Sequence, residues 1–429
     1  MKLQSGKKEA ITVLTASILF NLSIQVLYIW SLLKDILMKP EPGGGLGWSS
    51  GEAGLPYTLA IIFFAIGVLL GGRIQDKTGP RIVATAGGAM VGLGLVISGL
   101  AGDSPFGAAV GYGVISGLGI GFGYGSVLPA CLKWFHPSKK GLIGGLVLGA
   151  FGLASVHYAI ITSELRRHYG IQEIFIFTGI AVAVISVAAA QFIRNPEIGY
   201  EPAATGVVSG AVSVQTSHQT SHQTRLRAEK PVVDYQWKEM LKTRQFYLIF
   251  TLFLFCASIG LMLIGNLARI SNIQAGVAEP VVLISVVAVV NALGRVIGGF
   301  LSDKIGRVCT LFIAIVLQML NMAGFIFYQN IFLVTFGFIV TGLCFGTFLA
   351  VFPALTADRY GLKNYGVNYG IVYLAYGFAG TAAPVIADYV YMSDGDFHTA
   401  YIICAILMVL MIPVNYLLKE KRREPEKGG

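Results

Sequence analysis

Gly72-Arg73-Ile74-Gln75-Asp76-Lys77-Thr78-Gly79-Pro80-Arg81 follows one long apolar run, and Gly299-Phe300-Leu301-Ser302-Asp303-Lys304-Ile305-Gly306-Arg307 follows another. Both read Gly-x-x-x-Asp-Lys-x-Gly and then arginine, and they start 227 residues apart. A second pair of motifs agrees: Gly117-Leu118 with Gly121 and Pro129-Ala130 recurs as Gly342-Leu343 with Gly346 and Pro353-Ala354, at offsets of 224–225 residues. Two independent motifs at one spacing mark an internal duplication. Duplicated membrane halves point to a transporter.

Composition sets the surroundings of these motifs. The chain has 429 residues, 55% of them hydrophobic and only 12% charged, against roughly a quarter charged in soluble domains. Mean hydropathy is +0.71. One soluble core cannot absorb so much apolar sequence, so an ordinary soluble enzyme, a disordered protein and a nucleic-acid binder are excluded. A spanning helix needs about 20 mostly apolar residues. Runs of that kind lie at 11–33, 54–72, 82–101, 107–132, 140–163, 171–193, 245–267, 280–300, 309–328, 331–356, 365–388 and 398–418. They are too continuous for barrel strands. The predicted fold is therefore an all-α membrane protein of twelve transmembrane helices in two pseudo-symmetric six-helix bundles. The first bundle covers 1–193, a polar linker 194–244, and the second bundle 245–429. The linker holds Pro196, Pro202, Pro231 and a tandem Ser-His-Gln-Thr at 217–224, and reads as flexible chain rather than a metal site. The five cysteines are scattered with no CxxC pair, so no disulfide framework, zinc site or other cofactor is expected. The first apolar run lacks a cleavage site and leads into further spans, so no cleavable signal is expected.

The net charge of +9 becomes an orientation signal once the spans are drawn. With the N-terminus, linker and C-terminus on one side, 25 basic residues fall on that side and 5 on the other. The positive-inside rule makes the rich side cytoplasmic, with both termini in the cytoplasm and the chain multi-pass in a cell membrane. The charge thus reports topology and contact with lipid, not a nucleic-acid partner.

One basic residue is assigned to neither side. Arg295 sits mid-helix, with Val281–Val290 before it and Val296–Phe300 after it. A charge at bilayer depth costs about 2.5–3.5 kcal/mol even on lenient scales, and such residues usually face a cavity. Arginine stays protonated and presents a planar fork that matches a carboxylate. Snorkelling to the interface is opposed by about 12 Å of helix between Arg295 and Asp303. A structural pair with a carboxylate is the other reading, but Asp35, Glu164, Asp358 and Asp388 all fall near span ends. Asn291 lies on the same helix face by i,i+4 spacing, as ligand contact or as helix-helix glue. Tyr124, Phe348, Phe352, Tyr373 and Tyr376 are candidates to line a small cavity around the charge, with ordinary packing as the alternative for each. His398, opening span 12, and His157, inside span 5, are proton-coupling candidates. The glycines of span 4 read as tight packing, as a rocking interface between helices, or both.

The duplicated Gly-x-x-x-Asp-x-x-Gly-x-Arg signature on a six-plus-six plan resembles the major facilitator superfamily over nearly the whole chain. That resemblance implies a closing gate at the cytoplasmic turns, with Asp76, Arg81, Asp303 and Arg307 as its residues. A narrower resemblance rests on Tyr28-Ile29-Trp30-Ser31-Leu32-Leu33-Lys34-Asp35, on Asn291-Ala292-Leu293-Gly294-Arg295 running into the second motif, and on Asn368-Tyr369-Gly370. These segments look like the monocarboxylate transporters and the related oxalate:formate antiporter. The antiporter has a second basic residue where this chain has Tyr376, and one cation suits one carboxylate. The animal monocarboxylate transporters carry an aspartate where this chain has Asn291 and a lysine where it has Leu27, so the resemblance does not carry over their proton route. The reading is a transporter of a small monocarboxylate such as lactate or pyruvate, proton-coupled and functional as a monomer, with an organic-anion antiporter as the alternative. A membrane enzyme would need clustered nucleophile, base or metal ligands in the spans. A primary pump would need a phosphate loop, and no Gly-x-x-x-x-Gly-Lys-[Ser/Thr] occurs.

Overall fold

The computed structural model describes residues 2–27, 30, 34, 37–40, 45–197, 199–200, 202, 234–277 and 281–418. The tandem Ser-His-Gln-Thr repeat and the basic tail from Lys419 lie outside the described residues. The described chain is helical, and its long helices in order are α1 (Lys2–Ile24), α2 (Ser50–Thr78), α3 (Pro80–Leu100), α4 (Pro105–Leu132), α5 (Lys140–Leu165), α6 (Ile171–Ala190), α7 (Arg244–Gly265), α8 (Val281–Ile305), α9 (Arg307–Phe325), α10 (Ile331–Tyr360), α11 (Tyr365–Asp394) and α12 (His398–Leu417). Eleven of them, α2 to α12, are long and apolar enough to cross a membrane. In α1 the first turns hold Lys2, Lys7, Lys8 and Glu9, and the predicted span over 11–33 runs on into residues outside those described.

Several helices outrun the apolar stretches that announce them. Helix α2 continues through Arg73, Gln75, Asp76 and Lys77, because hydropathy marks where the apolar stretch ends while the backbone sets where the helix ends. Gly79 (φ 88°) and Gly306 (φ 93°) adopt left-handed geometry that glycine alone accepts without strain. Each is the second glycine of the motif, and each breaks one helix so that the next starts at once, α3 at Pro80 and α9 at Arg307. Proline at the first helical position suits this turn, since that N–H needs no partner.

Helices α1 to α6 pack together, most heavily α3 on α6 and α2 on α4. Helices α7 to α12 form the second bundle through α8 on α10, α7 on α11 and α9 on α12. The bundles meet along α5 with α8 and α2 with α11. Glycines make both seams close. A Cβ on Gly72 would overlap the Gly366 carbonyl, and one on Gly141 would overlap the Gly299 carbonyl. The glycines of α4 serve a different purpose: Gly121 lies on Gly67 of α2, Gly119 on Gly87 of α3, and Gly123 against Phe20 and Ile24 of α1. They tighten the first bundle internally. These are packing contacts, and the bundles meet chiefly on α2, α5, α8 and α11. The first part of α4 is a π-helix over Ala109–Ser116.

Candidate functional site

Arg295 lies on the α5–α8 seam. Gly145 and Gly149 of α5 sit against the Ala292–Val296 backbone of α8, which brings the guanidinium to the first bundle. Its Nε donates to Asn291 Oδ1 at 3.0 Å, one turn earlier on the same helix. Its Nη1 donates across the seam to the Leu148 carbonyl at 2.6 Å. The side chain is only 1% exposed, and its guanidinium carbon lies 5.9 Å from the centre of the Phe151 ring, within cation–π reach. An uncompensated desolvation cost would make such a placement untenable; here two hydrogen bonds and a ring face offset it.

Around this charge the two bundles bring their aromatic residues into one cluster. Phe151 meets Tyr124 at 5.1 Å between ring centres, and Tyr124 meets Tyr373 at 5.0 Å. Tyr373 stacks on Tyr376 at 4.9 Å. Phe64 of α2 touches Tyr124, Phe151, Tyr373 and Tyr376. Phe253 of α7 stacks on Phe352 at 4.6 Å and reaches Tyr373 and Tyr376, while Phe348 lies one turn from Phe352 at 6.5 Å. Tyr124, Phe348, Phe352 and Tyr376 are all buried. Leu27 is buried as well and contributes no polar group.

Three of these side chains were not singled out from the sequence, namely Phe64, Phe151 and Phe253, and Tyr369 entered only as part of the Asn368-Tyr369-Gly370 segment. Tyr369 is buried in the field of Arg295 and beside Tyr124, at 6.5 Å between ring centres. Two amides were missed too, Asn21 in α1 and Gln25 just past its end. Asn21 donates to the Val147 carbonyl at 3.2 Å, next to the carbonyl that Arg295 holds. The side-chain oxygens of Asn21 and Gln25 are buried and find no hydrogen-bond partner among the described residues. Their signal was visible, since two amides four residues apart interrupt the first apolar run.

At the end of the bundles that carries both motifs, each aspartate caps a helix of the opposite bundle. Asp76 accepts from the backbone N–H groups of Gly366 at 3.2 Å and Val367 at 3.0 Å, in the first turn of α11. Asp303 accepts from Gly141 at 2.9 Å and Leu142 at 2.8 Å, in the first turn of α5. A carboxylate at a helix N-terminus satisfies otherwise unpaired N–H groups and opposes the positive end of the helix dipole. The two copies then diverge. Arg307 donates to Asp303 at 2.6 Å and to Asp358 at 2.9 Å, and Asp358 also pairs with the buried Lys140 at 3.1 Å. Arg81, the matching arginine of the first copy, does not join Asp76; it is exposed beside Glu9, Gln191 and Arg194. Lys133 stands near Asp76 instead. Burial pulls its ammonium below the ordinary lysine range, while the charges of Asp76 and Asp234 draw it back up.

The chain matches the Major Facilitator Superfamily over residues 11–334 and 265–429. The chain belongs to the major facilitator superfamily. It is similar to the uncharacterised MFS-type transporter YhjX of Escherichia coli, 27% identical over 85% of this chain and 84% of the relative. It is equally similar, 27% identical over 94% of this chain and 89% of the relative, to the oxalate:formate antiporter of Oxalobacter formigenes. Among solved structures the superfamily transporter FucP, in its outward conformation, aligns with a TM-score of 0.64 and 13% identity over 96% of this chain and 99% of FucP. That likeness bears on the fold alone.

In this superfamily member neither candidate histidine is placed among the rings that surround Arg295. His157 is half-buried against Tyr158, at 4.3 Å between ring centres. His398 opens α12 at the end of the bundles away from the motifs. Its Nδ1 is 2.8 Å from Asp396, and its Nε2 is 3.1 Å from the Ile326 carbonyl. Asp396 also accepts from the His398 backbone N–H at 2.9 Å, and these bonds hold its carboxyl below the usual carboxylate range.

Proposed function

We propose that this major facilitator superfamily transporter carries small organic monocarboxylates of the lactate and pyruvate class by alternating access, in symport with a proton. The observation that supports this reading most is Arg295: a permanently charged fork, buried on the seam between the bundles, beside a cluster of rings drawn from α2, α4, α5, α7, α10 and α11. A carboxylate meeting that fork exchanges water for charge-assisted hydrogen bonds, and the surrounding rings suit a short apolar tail. In this reading Asn291 holds the guanidinium in place, and Tyr124, Phe348, Phe352, Tyr376 and Leu27 line the substrate site. Asp76 and Asp303, with Arg307, close the motif end, which we read as cytoplasmic. The chain then lies multi-pass in a cell membrane with both termini in the cytoplasm, and works as a monomer of two bundles, 1–193 and 245–429, joined by the 194–244 linker.

The anion neutralises Arg295, so a proton taken up with it leaves the loaded site net positive by one charge. His157 and His398 are the side-chain candidates for that proton. A second reading, anion exchange, is favoured by the similarity to the oxalate:formate antiporter over most of both chains. Against it, Tyr376 stands where that protein has a second basic residue, which favours one carboxylate per substrate. Uptake of labelled lactate, pyruvate, formate and oxalate into proteoliposomes separates the readings. An inward-acid gradient should accelerate lactate or pyruvate uptake by the wild type, and Arg295→Ala should abolish it. Normal uptake by Arg295→Ala would sink the anion site. Preference for oxalate would refute the one-cation argument, and uptake indifferent to pH but stimulated by internal anion would establish exchange. Loss of the pH drive in His157→Ala or His398→Ala, with uptake itself retained, marks that histidine as the carrier; if both keep the drive, the proton travels elsewhere.

A further inference from the structure

Arg81 departs from its motif. Rather than joining Asp76, it lines a concave cavity of about 200 Å³ together with Glu9, Thr12 and Val13 of α1 and with Gln191, Phe192 and Arg194 at the end of α6. The other polar groups there are engaged. Arg194 pairs with Glu9 at 3.3 Å, Gln191 donates to Thr85 at 3.1 Å and to the Val187 carbonyl at 2.9 Å, and Thr12 donates to the Lys8 carbonyl at 3.0 Å. No hydrogen bond or ion pair engages the Arg81 guanidinium among the described residues. Two guanidiniums against one carboxylate leave the cavity with one net positive charge. Arg81 also stands in the first turn of α3, where the helix dipole adds positive potential. The surroundings are apolar and outward-facing: Ile11, Ile82 and Phe192 are 52%, 63% and 57% exposed. On a membrane protein such side chains lie against acyl chains.

We propose that this cavity binds the phosphodiester of an anionic phospholipid, with Arg81 as its principal ligand, Arg194 beside it, and the acyl chains running over Ile11, Ile82 and Phe192. A basic pocket between spanning helices at the polar boundary of the bilayer is the setting in which such headgroups are held. Free phosphate shares the charge chemistry but has no use for the apolar rim, and this argues for the lipid. Occupation would tie α1, α3 and α6 together at the motif end, away from the Arg295 seam.

Native mass spectrometry of the full-length detergent-purified protein tests this with three probes: phosphatidylglycerol, phosphatidylcholine and inorganic phosphate. The wild type should retain one phosphatidylglycerol under activation that strips phosphatidylcholine. Arg81→Gln should weaken that binding by about tenfold or more, as expected for loss of a charge-assisted contact. Thr12→Trp, which fills the cavity and leaves both arginines in place, should do the same and carries the test if Arg81→Gln does not fold. Equal retention of phosphatidylglycerol by the wild type and either variant overturns the proposal. So does equal retention of the two lipids, and so does saturation by inorganic phosphate without any preference for lipid.

Discussion

A single guanidinium concentrates most of the chemistry. Arg295 is held by Asn291 on its own helix and by the Leu148 carbonyl of the other bundle, so its position depends on both bundles at once. Arginine's planar fork cannot be replaced by a point charge of the same sign. Arg295→Lys should therefore retain folding and transport poorly, with KM for the anion raised about tenfold or more, since each charge-assisted hydrogen bond is worth about 1.5–3 kcal/mol. Concentration-dependent uptake checks this.

Helices α2, α5, α8 and α11 carry the relation between the bundles. Gly72 meets Gly366 backbone to backbone, and Asp76 one turn later caps the same helix start. Gly72→Ala forces a Cβ into the Gly366 carbonyl, and overpacking of this kind costs about 1–3 kcal/mol. The substitution should shift the bundles toward the arrangement in which the motif ends part, by about five- to 150-fold in population by the same figure. Spin labels at Lys77 and Lys363 should report the shift as a longer distance. Asp76→Asn should move the same distance in the same direction by removing the charged cap, an effect of up to about 2 kcal/mol in part-buried geometry. Unchanged distances in both variants would separate this seam from gating.

For the molecule as a whole, the duplication was legible because polar residues inside apolar sequence are costly and therefore informative. Asp76, Asp303 and Arg295 stood out for that reason, and so did the motif glycines that end α2 and α8. Phe64, Phe151 and Phe253 did not stand out. A helix in a membrane is apolar toward lipid and apolar toward its neighbours, so no periodic contrast tells a ring that faces the site from one that faces acyl chains. The parting of ways between Arg81 and Arg307 was equally hidden, because it depends on which helices lie beside each motif copy. At the opposite end of the molecule, Asp396 predicts a modest pH effect. Its carboxyl titrates below the ordinary value of about 3.9. The contribution is therefore fully present above that value and is lost as pH falls through the lower, folded value. Heat denaturation of the wild type and Asp396→Asn should differ at pH 6, and the difference should shrink as pH falls below the ordinary carboxylate value; a difference that persists undiminished in acid would point to a role other than charge.

The glycine seams have one more implication. Where Gly72 meets Gly366 and Gly141 meets Gly299, main chain lies directly on main chain across the seam. Interlocked side chains must find their rotamers each time a surface re-forms, at up to about 2 kcal/mol apiece for long residues, whereas glycine has none to order. A smooth track of this kind lets two rigid bodies separate and rejoin with little friction. The pace of a transport cycle would then be governed by the charged latches at its rim and by the guanidinium at its centre, rather than by the sliding surfaces between them.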